Sequence, residues 1–113
     1  MAGSTILPLG RAVTLADRYE LQEGRVFLSG VQALTRVLLD QHRADREAGL
    51  RTATLVSGYP GSPLAGFDLE VTRLGAVASE HDVVVRRAVN EELAATSVWG
   101  SQLAGSLPGP RFD

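Results

Sequence analysis

Apolar positions recur at helical spacing over one long stretch of the chain. Val31, Leu34, Leu38 and Leu39 form a stripe, while Arg36, Asp40, Arg43 and Glu47 fall on or near the opposite side. The spacing predicts a helix from Gly30 to about Ala48. Ser29 stands where an N-cap is needed, and Gly49 where a left-handed residue ends a helix. Two β-branched runs obey a different rule. Thr52-Ala53-Thr54-Leu55-Val56 and Asp82-Val83-Val84-Val85 lack strict polar alternation, which suits strands covered on both faces. Between them Phe67, Val71, Leu74 and Val77 or Ala78 predict a helix from about Leu64 to Ser79. Asn90 caps a further helix, roughly Glu91 to Ala104. Ahead of all these, Thr14 to Tyr19 reads as a short helical turn capped by Thr14. Arg25-Val26-Phe27-Leu28 reads as a short strand or an extended lead-in. Residues 1–13 show no sustained period and read as a flexible leader.

The order is β-α-β-α-β-α with short connections. That alternation predicts an α/β domain: an open, mostly parallel sheet with helices on both faces, in three layers. Leu93 to Pro110 carries no charge over eighteen residues. Gly100, Gly105, Pro108 and several Ser interrupt it, so its modest apolarity argues for a helix buried on several sides rather than a membrane span. A chain of 113 residues cannot readily surround such a helix alone, and a partner surface is expected there.

Composition narrows the chemistry. Eleven basic residues, all Arg, stand against 13 acidic ones, for a net charge of −2. That balance excludes an electrostatic nucleic-acid clamp, and the adjacent Arg86 and Arg87 do not change it. Without Cys the sequence has no disulfide, no thiolate metal site, no Fe–S ligand and no Cys nucleophile. The first ten residues lack a charged n-region and offer only Ile6-Leu7-Pro8-Leu9 as an apolar run, so a soluble cytoplasmic protein is expected. His42, on a helix surface, and His81, at a helix-to-strand junction, have no ligand cluster around them. Tyr59 and Trp99 read as packing residues, and no Ser is flanked as a nucleophile elbow requires.

Two segments carry candidate chemistry. The loop Ser57-Gly58-Tyr59-Pro60-Gly61-Ser62-Pro63 follows a strand and leads into a helix, where open α/β sheets bind ligands and helix donors favour anions. Gly61 to Gly66 has Walker A spacing, but Phe67 replaces the Lys, and GxGxxG is absent. An ordinary Pro- and Gly-containing turn accounts for the same residues. The second segment is Val89-Asn90-Glu91-Glu92. Asn90 as cap and two carboxylates complementing the helix dipole explain it structurally. The functional alternative is a carboxylate presented into a cleft, sharing a proton with a heterocyclic nitrogen.

Three stretches in order carry a resemblance: Gly24-Arg25-Val26-Phe27-Leu28-Ser29-Gly30-Val31-Gln32-Ala33-Leu34, then Val56 to Pro63, then Val89-Asn90-Glu91-Glu92-Leu93-Ala94-Ala95-Thr96 to Val98-Trp99-Gly100-Ser101. Together they resemble the N-terminus of long, single-chain indolepyruvate ferredoxin oxidoreductases, thiamine-diphosphate-dependent 2-oxoacid:ferredoxin oxidoreductases. The resemblance implies that residues 14–113 are the N-terminal part of the domain holding the aminopyrimidine ring of thiamine diphosphate. It implies a Glu hydrogen-bonded to ring N1′. The family's Glu precedes a Gly by nine residues, a spacing that Glu91 and Gly100 reproduce, with Glu92 in reserve. Gly58, Tyr59 and Pro60 would border the cofactor, and Ser62 would meet the substrate carboxylate. The reaction implied is oxidative decarboxylation of an indolepyruvate-like 2-oxoacid, with electrons passing through Fe–S clusters to ferredoxin and the acyl group to coenzyme A.

The family's diphosphate and Mg²⁺ motif, Gly-Asp-Gly followed by Asn, does not occur here, nor do the Cys ligands for Fe–S clusters. The expected Arg for the substrate carboxylate is missing as well. The resemblance therefore implies a truncated domain, inactive alone, that works with the remaining domains of a homodimeric enzyme. Two other readings stay open: a non-catalytic α/β module that only associates with a partner, and a Rossmann-like small-molecule binder.

Overall fold

Ser29 opens the longest helix, α2 (Gly30–Glu47), of a computed structural model that describes residues 12–113. All but the last two residues of the expected leader lie outside the described residues. The Ser29 side chain accepts from the Gln32 N–H at 3.3 Å, and the Gln32 side chain accepts from the Ser29 N–H at 3.0 Å. This reciprocal pair satisfies two donors that a helix start otherwise leaves unpaired.

The buried face of α2 is not centred on the expected stripe. Thr35, Leu39 and His42 are buried, whereas Leu34 is exposed. The reason lies in Arg36 and Arg43, expected on or near the opposite side. Arg36 donates to the carbonyls of Arg18 at 2.9 Å and Leu21 at 2.6 Å, and Arg43 donates to that of Tyr19 at 2.6 Å. They fasten α1 (Asp17–Glu20) to α2, so the covered face turns toward them. His42, expected at the surface, is 3% exposed. Thr14 does not cap α1. Its N–H and hydroxyl both donate to the Asp17 carboxylate at 3.0 Å, and Ala16 occupies the cap position.

Residues 25–28 form no strand, so the sheet has two strands among the described residues instead of three. β1 (Thr54–Gly58) and β2 (Val83–Arg87) pair in parallel from Thr54 opposite Val83 to Gly58 opposite Arg87. Both strands run two residues past their expected ends. Main-chain pairing continues as long as a partner is present, whatever the side chains, and so takes in Ser57, Gly58, Arg86 and Arg87.

The single helix expected over residues 64–79 is two helices, α3 (Ala65–Arg73) and α4 (Ala76–Glu80). Gly75, with φ of +54°, makes the break. The bend lets Val71, Leu74 and Ala78 all reach the core, which they share with Leu39, Val56 and Val83. α5 (Glu91–Ser101) ends three residues before the expected Ala104 and is followed by a 3₁₀ turn, Ala104–Ser106. It packs against β1, with Ala94 its buried residue. Leu93, Trp99 and Leu103 are exposed, and Trp99 keeps 66% of its surface, so it is not a packing residue among the described residues. Among those residues no helix is long and apolar enough to cross a membrane. Asp113 lies beside the lead-in to β1, its N–H donating to the Arg51 carbonyl at 2.8 Å while its carboxylate accepts from the Arg51 N–H at 2.6 Å. The architecture is thus mixed α/β around a small two-stranded parallel sheet.

Candidate functional site

The carboxyl ends of β1 and β2 lie level, because Gly58 is in register with Arg87 and its carbonyl accepts from the Ala88 N–H at 2.8 Å. The Ser57 hydroxyl reinforces that junction by donating to the Arg86 carbonyl at 2.9 Å. Two segments therefore leave the sheet side by side: Tyr59 onward from β1, and Ala88 onward from β2. Asn90 then starts α5, its side-chain oxygen accepting from the Leu93 N–H at 2.9 Å. That cap fixes where Glu91 begins the helix.

The consequence is a contact across 32 positions of sequence. The Tyr59 hydroxyl donates to Glu91 Oε1 at 2.6 Å. This short, charge-assisted bond holds the Tyr59 phenol above its ordinary ionisation range, with lost solvation and the carboxylate's charge adding smaller pushes in the same direction. Glu91 itself is exposed, and its other oxygen has no partner among the described residues. Glu92 is exposed as well, and only its main-chain carbonyl is engaged, by the Thr96 hydroxyl at 2.7 Å.

The loop past Tyr59 turns through Gly61, whose φ of +92° is costly for any residue with a Cβ. The turn brings Ser62 back under Tyr59, into a hollow of about 110 Å³ walled by Val56, Leu64 and Phe67. The Ser62 hydroxyl makes no hydrogen bond among the described residues. Pro60 and Gly61 face a second hollow of about 230 Å³ with Leu69 and Arg87. Arg87 Nε lies 3.7 Å from the Asp68 carboxylate, and Asp68 borders both hollows.

The structure thus brings together Gly58, Tyr59 and Glu91, sets Ser62 in the adjoining hollow, and leaves Pro60 on the outer side of the loop. Sequence reasoning missed Asp68 and Arg87. Two adjacent Arg, Arg86 and Arg87, at a strand's carboxyl end are the available signal. Larger hollows lie elsewhere. One, of about 290 Å³, is formed by Val13, Leu15, Leu21, Val26 and Phe27 near α1. Another, of about 370 Å³, is lined by His42, Arg43, Arg46 and His81. Neither is lined by a residue of β1, β2 or the segments that leave their carboxyl ends. No group of three or more His, Cys, Asp or Glu side chains among the described residues is arranged to hold a metal ion.

No protein-family model, curated protein or solved structure matches this chain.

Proposed function

We propose that this chain forms part of the pyrimidine-binding half of a thiamine-diphosphate-dependent 2-oxoacid:ferredoxin oxidoreductase acting on an indolepyruvate-like acid. In this reading its two-stranded sheet belongs to a larger three-layer sheet with helices on both faces. The observation that carries the reading is the 2.6 Å bond between Tyr59 and Glu91. It joins two of the three sequence stretches behind the resemblance at the edge where parallel α/β sheets bind ligands.

The residues present fit the aminopyrimidine half of the cofactor. Glu91 offers one carboxylate oxygen held by Tyr59 and one without a partner among the described residues, and Tyr59 itself lines a hollow walled in part by Val56, Leu64 and Phe67. They do not provide the diphosphate half, for which the sequence has no Gly-Asp-Gly motif. When bound, thiamine diphosphate supplies the nucleophilic carbon and the electron sink for decarboxylation. In this reading the chain's own residues do the rest. Glu91 holds or shares a proton at its free oxygen with a ring nitrogen, and Asn90 fixes the start of the helix that presents it. The Gly58–Pro60 segment borders the ring, and the Ser62 hydroxyl donates to the substrate carboxylate. Mg²⁺, the Fe–S clusters that feed ferredoxin, and the coenzyme A site belong to the remaining domains.

The test is Glu91→Gln in the intact enzyme containing this chain, read as hydrogen–deuterium exchange at thiazolium C2. Loss of an acid–base group is expected to slow exchange about 10²-fold or more. Glu92→Gln is the control and is expected to exchange normally. The reverse pattern moves the role to Glu92, and normal exchange in both variants leaves Glu91 a first-turn helix charge. A second reading, a non-catalytic module that only associates with a partner, is favoured by the exposed Leu93, Trp99 and Leu103. That reading expects normal exchange in both variants.

A further inference from the structure

We infer that Tyr59 is a positioning residue for Glu91: its hydroxyl fixes one carboxylate oxygen so that the other is aimed for proton sharing. The inference rests on the function proposed above and adds to the place of Tyr59 at the border of the ring a second role, exerted through Glu91.

The argument is geometric. An exposed Glu in the first turn of a helix samples several rotamers, and a carboxylate that wanders cannot keep a proton in line with a ring nitrogen. Nothing on α5 restrains Glu91: Asn90 is committed to the Leu93 N–H, and the Thr96 hydroxyl to the Glu92 carbonyl. The restraint comes from across the sheet edge, as the 2.6 Å bond from Tyr59. Tyr59 is well placed to give it. The phenol is rigid beyond two torsions, and its main chain leaves β1 directly after Gly58, which the Ala88 N–H pins at 2.8 Å. Among the described residues, Glu92 is next along α5, and Asp68 of α3 and Arg87 of β2 line a hollow together with Tyr59 and lie 3.7 Å apart. Asp68 and Arg87 compensate each other, so neither replaces Tyr59 as a partner for Glu91.

Two measurements test this. In the 113-residue chain, residue-assigned ¹³Cζ titration of the tyrosines is expected to show Tyr59 ionising above the ordinary range. Glu91→Gln should return it toward that range, and Glu92→Gln should leave it unmoved. An ordinary titration of Tyr59 in the unaltered chain would overturn the inference, while the proposed function is decided separately, by C2 exchange in Glu91→Gln. In the intact enzyme, Tyr59→Phe is expected to slow C2 exchange about tenfold, the size of one hydrogen bond. The double variant Tyr59→Phe/Glu91→Gln should be no slower than Glu91→Gln alone, because Tyr59 acts through Glu91. Slowing by Glu91→Gln with normal exchange in Tyr59→Phe, or with effects that multiply in the double variant, refutes positioning and leaves the proposed function standing. Normal exchange in Glu91→Gln removes both.

Discussion

Arg36→Ala is expected to release α1 while the rest of the fold stays closed. The Arg36 side chain is 13% exposed and donates to two main-chain carbonyls, those of Arg18 and Leu21. Its third contact, with Asp40 at 3.0 Å, is an i,i+4 pair on the surface and adds little. Taking about 1 kcal/mol for each carbonyl bond, near the low end because water can replace the guanidinium, the loss is about 2 kcal/mol. That corresponds to roughly a 30-fold rise in the open population of α1. Among the described residues α1 is also held by the Arg43 bond to the Tyr19 carbonyl, by the hydrogen bond from the Tyr19 hydroxyl to Glu70 and by packing of Tyr19 against the core. Neither hydrogen bond reaches the strands, so opening is expected to be local.

Amide exchange read residue by residue is the assay, with trypsin cleavage after Arg18 as a second readout. The amides of Tyr19, Glu20 and Leu21, which donate to Ala16 and Asp17, should lose protection, while those of β1 and β2 keep theirs. Arg36→Lys keeps the charge but not the two-armed donor, and is expected to fall between the wild type and Ala. Unchanged exchange at Tyr19 to Leu21 would refute the clamp. Equal loss across α1 and the strands would refute its local character.

Two further outcomes concern stability. His42 is held below its ordinary value of 6.5, first by burial and then by the charge of Arg46, and the Asp82 carboxylate 3.5 Å away opposes this without reversing it. The unfolded chain therefore takes up this proton before the folded one, so stability is full above about pH 6.5 and falls as pH drops below it. Urea midpoints at successive pH values should show the decline, and His42→Leu should flatten it. Gly75→Ala places a Cβ at a φ of +54° and is expected to cost about 1–3 kcal/mol, measurable as a lower urea midpoint at unchanged slope.

What was legible in the sequence follows from how each signal is written. Ser29, Asn90 and the two β-branched runs act through neighbours within a few residues, and both caps and both strands are found where those residues stand. The break at Gly75 was hidden because Phe67, Val71, Leu74 and Ala78 keep helical spacing across it, although the chain bends between them. The rotation of α2 was hidden for a different reason. An Arg whose guanidinium bonds distant carbonyls has the same letter as an Arg facing solvent, and nothing near Arg36 or Arg43 tells the two apart. The Tyr59–Glu91 bond depends on strand register, a long-range property that no local pattern encodes. Only the resemblance set the two residues in one site beforehand.

The proposed role of Glu91 sets a condition that the described residues do not meet. A carboxylate in contact with bulk water shares a proton with a ring nitrogen weakly, since solvent competes for both partners, and acid–base groups are effective where water is excluded. Glu91 is exposed, and so are Leu93, Trp99 and Leu103 along the same helix or just past its end. One helix therefore presents both a carboxylate that needs shielding and an apolar surface that gains from being covered. Burying Trp99 alone removes about 150–250 Å² of mostly apolar surface from water, less the third already covered, so cover over α5 is favourable on hydrophobic grounds. The same cover would dry the start of the helix, where Tyr59 already holds one oxygen of Glu91. Under the proposed function, docking of the remaining domains onto α5 and activation of Glu91 are a single event. Substituting Trp99 should then weaken assembly and slow C2 exchange together, whereas Tyr59→Phe should slow exchange in an enzyme that assembles normally.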